Sequence, residues 1–126
     1  MPAAAAPDFR LPKNRRLGCS SEYQSVIAHD CRSKDAFFIV YAQCNGRQLG
    51  RLGVTVSRRV ASRAVERNRL KRTIKESFRH QQTILAGLDI VTIARTATQE
   101  IETSQLFVSL ERHWRKVDQQ CRCATP

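Results

Sequence analysis

The spacing of apolar residues along the chain predicts three amphipathic helices, over about residues 20–29, 62–81 and 104–117. In each segment the apolar residues recur three or four positions apart, so that they share one face of a helix. These residues are Tyr23, Val26 and Ile27 in the first helix, Leu70, Ile74 and Phe78 in the second, and Leu106, Leu110, Trp114 and Val117 in the third. Each helix is therefore expected to bury one face in a core.

Three shorter segments are predicted to form strands. Residues 36–44 and residues 88–94 are rich in aromatic and β-branched side chains, as strands are. Residues 51–57 alternate between two faces, with Leu52, Val54 and Val56 on one face and Gly53, Thr55 and Ser57 on the other. The turn signal Asn45-Gly46 predicts that the first two strands pair as a hairpin. The order of these segments predicts an α+β fold in which helices pack on a small sheet.

The length of 126 residues suits one compact domain with a modest core. We expect this domain to span residues 10–122, between a disordered Ala/Pro-rich tail at residues 1–9 and a C-terminal tail at residues 123–126. No apolar run approaches the roughly 20 residues of a transmembrane helix, and the start does not resemble a signal peptide. A cytoplasmic location is therefore expected. The five cysteines are too scattered for a zinc site or a disulfide framework, and free thiols are expected.

The charge of the chain indicates a polyanionic partner. The sequence has 22 Lys and Arg against 11 Asp and Glu, a net charge of +11 at pH 7. Positive charges in such excess on a small domain repel one another unless a polyanion neutralises them. Most of the bases are arginine, whose planar guanidinium suits bidentate phosphate contacts and base stacking. A lysine-rich chain would indicate solubility or a membrane surface instead.

Much of this charge lies in the second predicted helix and the residues before it. From residue 58 to residue 79, nine bases accompany two acids. At about 100° per residue, one stripe of the helix lies roughly 100–160° from the core residue Ile74. This stripe consists of Asn68, Arg72, Lys75 and Arg79. Arg69 flanks it, whereas Arg63 and Arg67 are expected to project past the sheet edge into a groove. Because the charges on this face are almost all positive, we expect it to bind phosphates, and we favour this over a solvated helix face or a helix on a membrane surface.

Several segments resemble the signature of the bacterial ribonuclease P protein subunit. They are residues 53–59 (GVTVSRR), 64–72 (AVERNRLKR) and 76–79 (ESFR), centred on the motif Arg67-Asn68-Arg69. Weaker similarity extends over about residues 10–122. The resemblance implies a small, mainly antiparallel four-stranded sheet with about three helices in the order α-β-β-β-α-β-α. It also implies a left-handed βαβ crossover, an exception to the usual right-handed connection.

The resemblance further implies a function. In this family a catalytic RNA uses Mg²⁺ to remove the 5′ leader of precursor tRNA, and the protein binds both that RNA and the leader. The expected partners are therefore the catalytic RNA, in a 1:1 ribonucleoprotein, and precursor tRNA, with no membrane or DNA partner. We expect no catalytic residue in the protein, no metal site in the protein alone and no organic cofactor.

Two groups of residues are expected to bind RNA. The first group is basic or polar and faces the catalytic RNA: Arg58, Arg59, Arg63, Arg67, Asn68, Arg69, Lys71, Arg72, Lys75 and Arg79. The second group lines a cleft for the single-stranded leader: Lys13, Arg16, Tyr23, Ile27, Tyr41, Thr55 and Ser57. Position 27 is often aromatic in the family, so Ile27 offers apolar contact in place of stacking. Tyr41 is expected to share a strand face with Phe37 and Ile39.

Three other classes of function are open to a basic α+β chain of this size. An autonomous nuclease would need general acid–base groups, but His29, His80 and His113 have no evident carboxylate cluster, and His80 and His113 are expected on the surface. A structural RNA binder, such as a ribosomal protein, fits the composition but not the ordered signature. A DNA-binding helix-turn-helix lacks the helix that should precede the basic one.

Overall fold

The computed structural model describes residues 16–18, 20–28 and 31–124. Its order of elements confirms the α+β fold and the order α-β-β-β-α-β-α, with an additional short 3-10 helix at Thr96–Glu100. The elements are α1 (Ser20–Ala28), β1 (Cys31–Lys34), β2 (Phe38–Cys44), β3 (Arg51–Thr55), α2 (Ala64–His80), β4 (Leu88–Ala94) and α3 (Thr103–Ala124). Helical backbone thus continues two residues past the domain end predicted at residue 122. The predicted tail at residues 1–9 and Lys13 lie outside the described residues.

The four strands form one mixed sheet in the order β1-β2-β4-β3. β2 pairs antiparallel with β1 and with β4, whereas β3 pairs parallel with β4. The predicted hairpin between β2 and β3 is therefore wrong, because β4 lies between them. β4 is buried along nearly its whole length, as suits a central strand covered on both faces. α2 connects the parallel strands β3 and β4, and the left hand of this crossover stays a prediction.

The chain does turn at Asn45-Gly46, but the turn is attached to β4. Gly46 has a φ of 69°, a conformation that favours glycine. The backbone N–H of Asn45 donates to the carbonyl of Gly87 at 2.9 Å, and its side-chain amide donates to Oδ1 of Asp89 at 2.8 Å. These bonds carry the chain past the end of β4, so that β3 begins on its far side.

The larger core lies between one face of the sheet and helices α2 and α3. The predicted stripe of Leu70, Ile74 and Phe78 is buried there, and burial of each such side chain stabilises the fold by about 1.5–3 kcal/mol. Trp114 of α3 lies edge-on to Phe78, and its indole N–H donates to Oγ of Ser77 at 2.9 Å. This bond satisfies a polar group that would otherwise be costly to bury.

A smaller core lies on the opposite face of the sheet, beneath α1. Val26 is fully buried there in a cluster with Leu17 and Val91. The apolar face predicted for α1 is only partly covered, since Ile27 is 39% exposed. Among the described helices, none is long and apolar enough to cross a membrane.

The expectation that His113 lies on the surface is wrong, because it is only 3% exposed. Nδ1 of His113 shares a hydrogen bond of 2.6 Å with the hydroxyl of Ser33. Nε2 lies 3.1 Å from Oδ2 of Asp35, close enough for electrostatic attraction but poorly aligned for a hydrogen bond. Burial lowers the pKa of His113, although Asp35 opposes this shift, so the neutral ring is favoured. His113 therefore joins α3 to β1 and to the turn after it.

The described cysteines agree with the expectation of free thiols. Cys31 and Cys121 are buried, Cys44 is exposed, and none of these three forms a disulfide within the described part of the chain. Cys19 and the side chain of Cys123 lie outside the described part of the chain.

Candidate nucleic-acid interface

A cleft of about 490 Å³ opens between α1, the end of β3 and the side of α2. It is lined by Leu17, Gly18, Tyr23, Val54, Thr55, Val56 and Lys71, and we call it the α1 cleft. Two residues of the predicted leader group, Tyr23 and Thr55, line it. Lys71, which was assigned to the other RNA-binding group, forms part of the same wall. The α1 cleft therefore combines an aromatic ring, an apolar floor and a cation.

The shape of the α1 cleft depends on a glycine beneath the ring of Tyr23. A Cβ atom added at Gly53 would lie 2.5 Å from Cζ and 2.8 Å from the hydroxyl oxygen of Tyr23. Contacts this short do not occur between real side chains, so the ring can lie against β3 only because residue 53 has no side chain. The glycine that opens the GVTVSRR segment thus has a packing role.

Arg51 fastens α1 to the sheet beside the cleft. Its guanidinium donates from Nε and Nη2 to both carboxylate oxygens of Asp89, at 2.9 and 2.7 Å, and from Nη1 to Oε2 of Glu22 at 2.9 Å. The other oxygen of Glu22 accepts the backbone N–H of Gly18 at 2.8 Å. Hydrogen bonding to Asp89 raises the pKa of Arg51 well above its ordinary value, and burial opposes this only in part. The network links α1, β3 and β4.

Tyr41 lies on the α1 side of the sheet, half-buried around the smaller core with Ile93. As predicted, it shares that face with Ile39. Phe37 does not, because it precedes β2 and packs against the larger core on the other side. Its backbone N–H donates to Oδ1 of Asp35 at 2.8 Å, so residue 37 belongs to a turn and does not follow the alternation of the strand.

Two bases of β1 extend this face, although neither was predicted from the sequence to belong to the candidate site. Arg32 lies opposite Tyr41 and Lys34 lies opposite Ile39 in the antiparallel register. Both bases are exposed, whereas Cys31 and Ser33 between them are buried. The alternation of small and basic residues in Cys-Arg-Ser-Lys would have indicated a strand with one basic face.

The basic stripe of α2 has the predicted orientation. Asn68 and Arg72 are exposed, and Lys75 and Arg79 are half-buried at its margins. The pKa of Lys75 is lowered by burial and by the positive charges of Arg16 and Lys71. Arg16 therefore lies close to α2, although it precedes α1 in the sequence. Like charges gathered in this way raise the local affinity for an anion.

Other predicted bases have partners within the protein. Nη1 of Arg67 donates to the carbonyls of Ala61 and Ser62, at 3.0 and 2.8 Å, so Arg67 folds back on the segment before α2 and does not project into a groove. Nη1 of Arg69 donates to the hydroxyl of Thr103 at 3.1 Å. Both side chains help to fix the start of α2 and its contact with α3.

The remaining predicted residues surround the end of β3 and the start of α2. Arg58 and Arg59 are exposed in the turn after β3, and Arg63 is exposed at the N-cap of α2. Ser57 is also exposed, and its carbonyl accepts the backbone N–H groups of Val60 and Ala61. These exposed residues directly precede α2 in the chain. In the described part of the chain, no group of three or more His, Cys, Asp or Glu side chains is placed to hold a metal ion.

Comparison with known proteins supports a single family. The model of the family described as Ribonuclease P matches residues 11–118. The ribonuclease P protein component of Methylococcus capsulatus is 36% identical over 113 residues, which cover 90% of this chain and 88% of the relative. That of Marinomonas sp. is 38% identical over 109 residues, covering 85% and 82%.

Solved structures agree with these sequence matches. The RNase P protein of Staphylococcus aureus superposes with a TM-score of 0.74 and 29% identity, covering 80% of this chain and 93% of that protein. The RNase P protein of Thermotoga maritima superposes with a TM-score of 0.68 and 26% identity, covering 77% and 92%.

Proposed function

Because the chain belongs to the ribonuclease P protein family, we propose that it is the protein subunit of an RNA-based ribonuclease P. The holoenzyme cleaves precursor tRNA endonucleolytically and releases the 5′ leader, so that the mature 5′ end of the tRNA is formed. The catalytic RNA carries out the chemistry. One copy of the protein binds one copy of that RNA and holds the leader of the substrate.

The observation that carries this proposal is the position of the α1 cleft beside the basic stripe of α2. Lys71 joins the two, since it precedes Arg72 of the stripe on α2 and lines the cleft with Tyr23. Single-stranded RNA is bound by proteins through stacking on aromatic rings and through cations along its backbone. An RNA strand in the α1 cleft would meet both kinds of group.

The docking surface for the catalytic RNA is the exposed side of α2 together with the turn before it. Asn68, Arg72 and the bases at residues 58, 59 and 63 offer donors to phosphate oxygens. Arg67 acts indirectly, by holding the segment before α2 through its bonds to Ala61 and Ser62. Arg16, Lys71 and Lys75 join this surface to the α1 cleft.

The donor groups of the described residues do not suit Mg²⁺. Mg²⁺ prefers several oxygen ligands in octahedral geometry, and the described residues bring together no cluster of three carboxylate, His or Cys side chains. The proposal therefore leaves Mg²⁺ on the RNA and assigns the protein no step that passes through the ion.

Reconstitution tests the proposed function. Precursor tRNA and Mg²⁺ are mixed with the protein, with a bacterial ribonuclease P RNA, or with both. We expect no cleavage by the protein alone and faster cleavage by the RNA when the protein is present, most clearly at low Mg²⁺. Cleavage by the protein alone would identify an autonomous nuclease, and RNA binding without stimulation would identify a structural RNA binder.

A substitution in the cleft wall tests leader binding separately. Within the holoenzyme, Lys71→Gln should weaken binding of precursor tRNA more than binding of mature tRNA, because only the precursor carries a leader. Arg47→Gln is the matched control, since Arg47 is exposed on the loop between β2 and β3, away from the α1 cleft. Equal losses for precursor and mature tRNA would show that Lys71 contacts only the catalytic RNA.

A further inference from the structure

A second groove follows the outward side of α3. It consists of two adjoining depressions that share Val108 and Arg112. The lining residues are Phe37, Ser104, Gln105, Val108, Ser109, Glu111, Arg112, Arg115, Lys116 and Gln119, and we call this surface the α3 groove. α3 packs on β1 and β2, whereas α2 packs beside it on β3, on the same face of the sheet.

The chemistry of the α3 groove suits an extended polyanion. Arg112, Arg115 and Lys116 are spaced three and four residues apart, so their exposed side chains project on one side of the helix. The carboxylate of Glu111 is also in the lining, where Oε1 accepts the side-chain amide of Gln81 at 3.3 Å. Three cations thus surround one carboxylate that already has a donor.

The groove also presents an apolar platform at one end. Phe37 is half-buried, and Val108 beside it is 56% exposed. The backbone around Phe37 is fixed, because Asp35 accepts the N–H groups of Phe37 and Phe38 and its own carbonyl accepts from Arg95. An aromatic ring held in place next to an arginine and an amide is a platform for an unpaired base. A flat, uncharged protein partner would not require these three cations.

The α1 cleft and the α3 groove both lie at the same end of the sheet. Thr55, Ile93, Ile39 and Lys34 form one row across the strands at that end, on the α1 face. The row spans three strand spacings, about 14 Å. Thr55 lines the α1 cleft, and the turn after Lys34 leads directly to Phe37. A strand of RNA leaving the α1 cleft along this row would reach Phe37.

We propose that the α3 groove binds the distal part of the precursor tRNA leader, beyond the nucleotides held in the α1 cleft. Lys34 guides the strand across the edge of the sheet, Phe37 stacks on a base, and Arg112 and Lys116 contact phosphates. This inference rests on the proposed function, because it takes the leader to occupy the α1 cleft. It assigns to the protein a preference for long leaders.

The test compares two substrates on the reconstituted holoenzyme. Both precursor tRNAs share one tRNA body, and their unstructured leaders have about five or about fifteen nucleotides, within the usual site sizes for single strands. The charge variant combines Arg112→Gln and Lys116→Gln, which are both exposed. The stacking variant is Phe37→Leu, which keeps an apolar side chain in the turn. The control is Arg47→Gln, which removes one charge outside the groove and the α1 cleft and is compared with Arg112→Gln alone.

We expect the wild-type holoenzyme to bind the long-leader substrate more tightly than the short-leader substrate. Each groove variant should weaken binding of the long leader by about fivefold or more, the loss typical of one stacked base, and leave binding of the short leader unchanged. The control should retain most of the preference for the long leader. Thermal unfolding of each variant shows that it is folded, and the charge variant supports the test if Phe37→Leu is unstable.

Three results would overturn the inference. They are the absence of a leader-length effect in the wild type, equal losses for both leaders, and weakened assembly with the catalytic RNA, which would place that RNA in the groove. All three leave the proposed function intact if the protein still stimulates cleavage. Failure to stimulate cleavage at all would instead refute the proposed function itself.

Discussion

At the scale of single residues, Gly53 and Tyr23 act as a pair. The ring of Tyr23 occupies the space that a side chain at residue 53 would fill. Gly53 therefore determines where this ring lies in the α1 cleft. Tyr23 is also part of the cluster around Val26 and Leu17. The pair therefore couples the docking of α1 to the shape of the cleft.

Gly53→Ala should displace Tyr23 and lower the free energy of unfolding by about 1–3 kcal/mol, the usual cost of overpacking. Thermal or denaturant unfolding measures the stability, and binding of precursor tRNA to the holoenzyme should weaken in parallel. Gly18→Ala is the control, because its Cβ would lie at an ordinary 3.6 Å from Oε1 of Glu22. Adding Tyr23→Ala to Gly53→Ala should recover part of the lost stability; strict additivity would show that the two residues do not interact.

Asp35 makes stability depend on pH. Burial alone would raise its pKa, but hydrogen bonds from Ser109, Phe38 and Phe37, together with the nearby imidazole of His113, lower the pKa to about 2. A carboxyl whose pKa is lower in the folded state stabilises the fold above its unfolded pKa of about 4 and loses this effect as pH falls towards 2. After allowance for solvent screening, the contribution is about 1–2 kcal/mol.

Unfolding by urea at a series of pH values tests this. The free energy of unfolding should fall between about pH 4 and pH 2 in the wild type, and Asp35→Asn should be less stable at neutral pH and show a smaller fall. Ser109→Ala removes one of the bonds that lower the pKa, made at 2.6 Å, and should reduce the fall by part of that amount. An identical pH profile for Asp35→Asn would mean that other carboxyl groups produce the acid sensitivity.

At the scale of helices and strands, the docking of α1 depends on the ion-pair network of Arg51. The side chain of Arg51 is 13% exposed and that of Asp89 is 5% exposed. Arg51→Met would leave the carboxylate of Asp89 buried without its bidentate donor, which costs about 3–5 kcal/mol. The Nδ2 of Asn45 also donates to Asp89, and it compensates only in part because it is neutral.

Equilibrium unfolding of Arg51→Met measures this loss, with Arg79→Met as the matched control. Arg79 also pairs with a carboxylate, that of Glu76, but the two side chains are 35% and 19% exposed and lie within one helix. Pairs of that kind contribute about 0.3–0.5 kcal/mol. Similar losses for the two variants would show that the Arg51 network is no stronger than a surface pair.

The kind and position of most elements could be predicted from the sequence because helix and strand periodicity are local properties, although α3 continues to Ala124, beyond the end predicted at residue 117. The strand at Leu88–Ala94 and the buried stripe of α2 were predicted correctly for this reason. The pairing of strands is not local, and the insertion of β4 between β2 and β3 depends on contacts such as that of Asn45 with Gly87. β1 was not located because its short alternation of small and basic side chains lacks the large apolar residues that mark the other strands.

In the candidate site too, local features could be predicted from the sequence and features that depend on distant contacts could not. The outward stripe of α2 and the shared face of Tyr41 and Ile39 follow from periodicity within one element. The inward contacts of Arg67 and the burial of His113 could not be predicted, since both depend on partners supplied by other parts of the fold. Charge in the neighbouring sequence was misleading for His113, because the bases around it point away from the core.

At the scale of the whole molecule, positive charge surrounds the sheet on several sides. The stripe of α2, the exposed bases of β1 and the three cations of α3 lie on different flanks, and together they account for much of the net charge of +11. An excess of this kind destabilises the free protein by self-repulsion and is relieved when RNA phosphates bind. Assembly with the catalytic RNA should therefore be strongly salt-dependent.

Arg72→Gln tests how this charge is used. Each phosphate contact releases condensed counterions, so the logarithm of the association constant falls linearly with the logarithm of salt concentration. Removing one contact should weaken assembly with the catalytic RNA and reduce the magnitude of the slope by about 0.7–0.9. Arg47→Gln removes the same charge from the loop between β2 and β3, so it should leave the slope nearly unchanged if only contacting bases release counterions. Titrations of labelled RNA from about 50 to about 200 mM salt measure both slopes. Equal changes in the two variants would mean that net charge, and not the α2 surface, determines the affinity.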